Sequence, residues 1–366
     1  MKIADIINQL ESFAPSAYQE DWDNTGLQVG AADQECTGVL LCVDVTPDIV
    51  DEAHRRGANL IVSHHPLIFK GLKHLTGATQ VERAVIGAIT RAIAIYSCHT
   101  SVDNAPDGVS FAMARLLGLT PDRALSPRHG LFQKLVVMVP NDHAERVRQA
   151  MFDAGAGHIG EYSCCSYNVT GTGTFRAGDN AHPFVGEIGQ IHHEPETSIQ
   201  VIVPKWLSGR VVSAMLNAHP YEVPAYDIFD LKVDNPDIGL GVVAHYDTPI
   251  TLTEFIARVK HSFHSPVVRT THPLAPDTKI SRVAMCGGAG GEFIHDAIRS
   301  GAQIYLSSDT RYHDFVDHSS RIMLVDIGHY ESEQCTKDIF YHVITQKFPN
   351  FAVYKSELEK NPINYL

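Results

Sequence analysis

The sequence predicts an α/β protein: two similar α/β halves with mainly parallel sheets, interrupted by an inserted α+β domain. Three observations carry this reading. From Gly38 to Gly118, short apolar, partly β-branched runs alternate with amphipathic stretches of helical period, the β-α-β-α pattern of a sheet covered on both faces. The pattern returns after Arg282, where Arg282–Asp309 lies in gap-free register with Gly38–His65. Between the copies, residues 126–238 follow the order β-α-β-β-α-β, a ferredoxin-like unit. The expected domains are therefore a discontinuous core, 1–125 and 239–366, and an insert, 126–238.

The elements follow in order. Residues 1–30 open with an amphipathic helix carrying acids, which does not read as a signal peptide. They close in the turn-rich stretch Trp22–Gly30. Gly38–Asp44 is a strand, Thr46-Pro47 opens a helix through Arg56, and Gly57 suits its C-cap. Ala58–Val62 is a short buried strand that runs into Ser63-His64-His65-Pro66, where proline stops the ladder for want of an amide donor. A helix near 80–91, a strand 92–97 and a helix closing at Gly118 complete the first half. In the insert, strands are expected at 131–139, 163–174, 197–203 and 226–232, with helices at 144–154 and 206–218. The second half resumes at 239–246, continues with a helix 253–263, and enters its repeat at Arg282.

In that repeat Gly38–Cys42 falls on Arg282–Cys286, Arg56-Gly57-Ala58 on Ser300-Gly301-Ala302, and Ser63-His64-His65 on Ser307-Ser308-Asp309. His99-Thr100-Ser101-Val102-Asp103 matches His329-Tyr330-Glu331-Ser332-Glu333, so each half ends a strand with His-x-x-x-carboxylate. A period this long suits two domains facing one another across a cleft, not a solenoid.

Composition narrows the function. The 366 residues carry a formal charge of -13, which disfavours a surface that tracks nucleic-acid phosphates. No apolar run approaches the ~20 residues needed to span a bilayer. Seven cysteines, none in a C-x-x-C pair, fit a reducing cytoplasm and argue against a disulfide framework.

The chemistry lies at the strand ends. His329 and Glu333 are four apart, a spacing that puts both on one face of a helix predicted to run through Lys347. Imidazole together with carboxylate suits zinc, iron, manganese or nickel better than magnesium or calcium. With His99, Asp103, His64 and His65, five or six ligands exceed what one tetrahedral zinc takes. That count suits two ions, as in hydrolases that clamp an attacking water and a leaving oxygen. Gly287–Gly291 precedes a helix expected near Glu292, and reads either as an anion site of backbone amides or as glycines needed for close packing. Asp309 and His313 are again four apart. His313 is a candidate proton shuttle or a group supporting the ligands, with a surface histidine as the alternative.

Taken together, Ser63–Phe69, His99 with Asp103, Asp309-x-x-x-His313 and Gly328–Glu333 resemble the Ngg-interacting-factor-three-like family. Its bacterial members are labelled type-2 GTP cyclohydrolase I homologues. The resemblance covers about 1–125 and 240–366, and the insert is similar to a PII/CutA-like module, most clearly at His219–Tyr226. The resemblance implies a dinuclear centre of two divalent ions held by His64, His65, Asp103, His329 and Glu333, with Glu333 bridging and His99 close by. It also implies a homohexamer built as a trimer of dimers. Two functions follow as expectations. One is a metal-dependent hydrolase of a nucleotide-like or phosphorylated small molecule, with His313 and His99 as candidate catalytic residues. The other is a non-catalytic metal-binding or regulatory scaffold.

Overall fold

In this computed structural model, which describes residues 1–233, 235–271 and 274–365, the chain opens with helix α1 (Ile3–Phe13) and strand β1 (Gly26–Val29). Then come β2 (Val39–Cys42), α2 (Pro47–Arg56), β3 (Leu60–Ser63), α3 (Gln80–Thr90) and β4 (Ala94–Ser97). Helices α4 (Thr100–Asp103) and α5 (Val109–Leu116) lead into β5 (Thr120–Pro127). Every residue of β2, β3 and β4 is buried, as parallel strands covered on both faces must be. The helices between them start and stop where the side chains dictate. The Thr46 hydroxyl accepts the Ile49 amide ahead of Pro47, and Gly57, at φ 71°, ends α2 in the left-handed region. Thr79 caps α3 in the same way.

The insert consists of β6 (Phe132–Pro140), α6 (Ala144–Asp153), β7 (Ser166–Arg176), β8 (Ile191–Pro204), α7 (Ser208–Ala218) and β9 (Tyr226–Asp230). Its antiparallel sheet has the order β7-β8-β6-β9, the ferredoxin-like arrangement of this element sequence. Leu135, Val137 and Val139 alternate inward from β6 and meet Ile199, Val201 and Val203 of β8. Val147 and Met151 of α6, with Val211 and Met215 of α7, close that core. Strand β8 begins at Ile191, earlier than expected. Its polar start His192-His193-Glu194 has no apolar alternation, and cross-strand pairing with β7 holds it instead.

The second half contains β10 (Gly239–Thr251), α8 (Leu252–Ser262), β11 (Arg269–Thr270), β12 (Lys279–Ala289) and α9 (Ile294–Arg299). It continues with β13 (Ile304–Ser308), α10 (Tyr312–His318), β14 (Met323–Asp326), α11 (His329–Glu333), α12 (Thr336–Lys347) and β15 (Val353–Lys355). The two core sheets run β1-β4-β3-β2-β15 and β11-β14-β13-β12-β10-β5. Strands β4-β3-β2 and β14-β13-β12 are the same parallel triplet, each carrying an antiparallel edge strand, β1 or β11. The repeat in the sequence is thus a repeat in topology. The strands that β5 and β10 add are antiparallel, so the second sheet is mixed rather than mainly parallel. Strand β15 returns to the first sheet beside β2. The single helix expected from 329 to 347 is two helices. At the break the Thr336 hydroxyl donates to the Glu333 carbonyl at 2.6 Å, a side-chain bond that competes with the helical ladder.

The chain divides into two compact units, 1–128 with 236–366, and 129–235. It leaves the first unit from β5 and re-enters on β10, where Pro127 pairs with Gly239 and the Arg128 amide donates to the Ile238 carbonyl. A short turn can therefore close the gap. Joining 128 to 236 through a few Gly/Ser residues is expected to give a soluble, folded core by circular dichroism with its metal content intact by elemental analysis. An unfolded or metal-free product would show that the core needs the insert. Among the described residues, no helix is long and apolar enough to cross a membrane.

Candidate metal centre

The site is built on backbone that the two parallel triplets deliver to one place. After β3 the ladder continues for two residues, because the His64 and His65 amides still donate to the Cys42 and Val43 carbonyls. The Ser63 hydroxyl donates to the His65 carbonyl at 2.8 Å and turns the chain there. As a result the two adjacent rings do not point apart as on a regular strand, and their centroids lie 4.9 Å from one another. His99 follows β4 and opens α4, whose last residue is Asp103. His329 and Glu333 are the first and last residues of α11. Asp326 shapes the entry to that helix, accepting the Thr310 amide on one carboxylate oxygen and the Gly328 amide on the other. Gly328 adopts φ 91° at this turn, a conformation that favours glycine.

Each of the four imidazoles has its Nδ1 taken by an oxygen. Asp44 holds His65 at 2.9 Å, Asp309 holds His329 at 2.7 Å, Asp23 holds His99 at 2.8 Å, and the Cys98 carbonyl lies 3.3 Å from His64. An acceptor on Nδ1 fixes the tautomer and leaves the Nε2 lone pair free, the arrangement that orients metal-binding histidines. Those Nε2 atoms converge. His65 Nε2 lies 3.4 Å from His329 Nε2.

Glu333 sits between the groups. Its Oε2 is 3.0 Å from His65 Nε2 and 3.1 Å from His329 Nε2, while its Oε1 is 3.6 Å from His64 Nε2. Asp103 completes the ring at 3.8 Å from His64 Nε2. Two overlapping ligand groups result, His64/His65/His99 and His65/His329/Glu333, each with its donor atoms within 4.8 Å of one another.

The electrostatics point the same way. Glu333 is held well below the usual carboxylate range, because His64, His329 and His65 outweigh its burial. Burial lowers His65, but Asp44 and Glu333 more than reverse this and push it up to about 10. Glu333 also raises His329, to about 9. Asp103 is raised well above its ordinary value by burial and by the charge of Glu333, and His64 is lowered by burial. The pocket thus draws positive charge to its centre. His64 Nε2 is nevertheless buried without a hydrogen bond, and Glu333 Oε2 has the Nε2 atoms of His65 and His329 for neighbours, an arrangement costly for lone pairs that no proton or ion joins. A cation that accepts these lone pairs satisfies them, and imidazole nitrogen with carboxylate oxygen is the donor set of a transition metal. The residues present fit such an ion.

The glycine-rich stretch resolves in favour of close packing. Strand β12 runs on through Gly287 and Gly288 to Ala289, and a 3₁₀ turn, Gly291–Phe293, leads from it into helix α9. The Gly287, Gly288 and Gly290 amides already donate to the hydroxyls of Ser110, Ser332 and Ser307, so these three are committed within the protein. A Cβ on Gly288 would lie 2.2 Å from Glu333 Oε1, so the missing side chain makes room for the central carboxylate.

His64, His65, His99, Asp103, His329 and Glu333 come together as one cluster. His313 does not join them: it is exposed on α10, with its ring edge-on to Tyr312. Its sequence partner Asp309 does reach the site, as the acceptor of His329. Sequence reasoning missed Asp23 and Asp44. Asp44 closes the expected first strand and Asp23 lies in the Trp22–Gly30 turn, so the only signal was an acid at a strand end or turn. The Asp23 side chain is wholly buried and also accepts the Thr100 amide and hydroxyl.

Comparison with known proteins agrees with this architecture. The family model Duf34/NIF3 (NGG1p interacting factor 3) matches residues 1–362. A Mycobacterium leprae protein described as a GTP cyclohydrolase 1 type 2 homolog is 39% identical over 338 residues, covering 91% of this chain and 87% of its own. A Bacillus subtilis protein of the same description is 35% identical over 369 residues, covering 99% and 98%. Among solved structures, a Bacillus cereus protein related to NIF3 superposes with a TM-score of 0.86 at 36% identity, covering 100% of this chain and 99% of that one. With the family model matched almost from end to end and such relatives aligned over nearly their full length, the chain belongs to the Duf34/NIF3 family.

Proposed function

We propose that the chain holds two divalent transition-metal ions and hydrolyses a nucleotide-like or phosphorylated small molecule. The observation that carries this is the placement of Glu333, whose two oxygens face different histidine groups that share His65. His64, His65, Asp103, His329 and Glu333 are the proposed ligands, with zinc, iron or manganese as the ions. Such ions, when bound, supply an acidified water at neutral pH and offset developing negative charge. The protein residues do the rest. Asp44 and Asp309 keep the His65 and His329 lone pairs aimed inward, and Glu333 holds the two groups together. His99, fixed by Asp23, is placed to accept or deliver a proton at its Nε2. The relatives' description as GTP cyclohydrolase homologs supports a nucleotide-like substrate.

Seven cysteines occur in the sequence and all are free thiols, which supports a reducing, cytoplasmic setting. The homohexamer implied by the sequence resemblance is part of the same proposal, and light scattering at low protein concentration tests it. A second reading, a non-catalytic metal-binding or regulatory scaffold, draws on the depth of the site, since His64 is fully buried and the Glu333 side chain is only 5% exposed. Hydrolysis separates the two. The metal-loaded protein is expected to turn over at least one member of a panel of nucleotides, cyclic nucleotides and phosphoesters, with activity lost to chelation and regained with metal. No turnover across the panel would favour the scaffold, and turnover that survives complete metal removal would eliminate the proposed mechanism.

A further inference from the structure

The insert contains a cavity of about 350 Å³, within the size range of small-molecule sites. Its walls are aromatic. Phe175 and Phe184 stand with ring centroids 6.2 and 6.3 Å from that of Tyr221, and Met138 adds apolar surface. Into this lining comes one buried acid, Glu196, only 8% exposed. Its Oε1 accepts the Tyr221 hydroxyl at 3.0 Å. Its Oε2 lies where a Cβ on Gly173 would approach to 2.1 Å, so the glycine of β7 gives the carboxylate its space. Among the described residues, no lysine, arginine or histidine lines the cavity. The adjacent imidazole, His219, is committed elsewhere, with its Nε2 donating to the Met138 carbonyl at 2.9 Å and its Nδ1 accepting the Tyr221 amide at 3.1 Å. That pattern is a neutral tautomer, so His219 supplies no charge to Glu196.

A largely buried carboxylate favours a counter-charge, and an aromatic ring attracts a cation that lies over its face within about 6 Å. We propose that this cavity binds a small organic ammonium ion, with the charged head between Glu196 and the three rings and its apolar part against Met138. An anion would meet the carboxylates of Glu196 and Glu222 and no cationic side chain among the described lining residues. A bare divalent ion would find one buried carboxylate, short of the ~6 oxygens such ions take. The site lies wholly within the 129–235 unit, and it does not depend on the reading of the metal centre.

Calorimetric titration of the full chain tests this with choline, with butylammonium, and with 3,3-dimethylbutan-1-ol, the uncharged carbon counterpart of choline. At least one of the two ammonium probes is expected to saturate at one per chain in the millimolar range or below, with the alcohol about tenfold weaker than choline. Glu196→Gln keeps an acceptor for Tyr221 and removes the charge, and is expected to weaken ammonium binding about tenfold. Should that variant fail to fold by circular dichroism, Phe184→Ala stands in, since this exposed ring contributes to the cage but not to the core; its binding should also fall. Failure of both ammonium ions to saturate, equal binding of the alcohol, or unchanged affinity in a folded Glu196→Gln variant overturns the proposal.

Discussion

Replacing Glu333 with alanine is expected to strip most of both metal ions from protein purified without chelator, where the native chain is expected to carry about two per chain by elemental analysis. The size of the effect follows from position. Glu333 alone approaches His64 with one oxygen and both His65 and His329 with the other. Its loss removes an anionic ligand from each group and leaves two cations close together on neutral imidazoles. Like charges brought together in a buried site repel strongly, so the remaining ligands should not retain either ion. A His64→Ala/His65→Ala double variant should be similarly depleted, because these residues supply the ligand group on the first half. His313→Ala should keep its full complement, since that side chain lies on the exposed face of α10. Full metal in the double variant would sink the ligand assignment.

The second large effect is expected from residues that would touch no ion. Asp44→Asn and Asp309→Asn should each weaken metal binding about 10–100-fold, the usual range for removing a carboxylate behind a ligating histidine. Competition against a chromogenic chelator measures this directly. Asparagine is the informative choice at 309, where the backbone has φ 51°, because it tolerates that conformation at least as well as aspartate. The variant then tests the hydrogen bond to His329 and not the turn. Asp44 is itself held from a distance, since Glu359 near the C-terminus accepts the Val43 and Asp44 amides at 2.6 and 2.9 Å while pairing with Lys337. Unchanged affinity in both asparagine variants would show that the carboxylates do not orient the rings.

The local signals in the sequence were strong where short-range physics is decisive. Threonine caps, Pro47 at the first turn of α2 and Gly57 at its end placed that helix to within a residue. All-buried runs such as Leu60–Ser63 identified central parallel strands. The repeat announced the paired triplets, and the four-residue spacing of His329 and Glu333 placed both on one short helix. Less legible were elements held by distant partners. Strand β15 has three residues and exists because β2 offers an edge. The antiparallel placement of β10 is set by β5 and β12, which lie far from most of it in the sequence. Glycines 287–291 looked equally suited to an anion or to packing until the serine hydroxyls that take three of their amides were in place.

By itself, the sequence determined the two-fold α/β architecture, the ferredoxin-like order of the insert and the residue types that crowd the strand ends. These follow from periodicity, capping and spacing, which act over a few residues. Tertiary structure alone decided which side chains meet. It brought His65 to His329 across 264 positions, gave each ring its own acid or carbonyl, and left His313 in solvent. A hydrogen bond between groups remote in sequence leaves no local pattern, because its geometry depends on the packing of both sheets rather than on the composition around either partner.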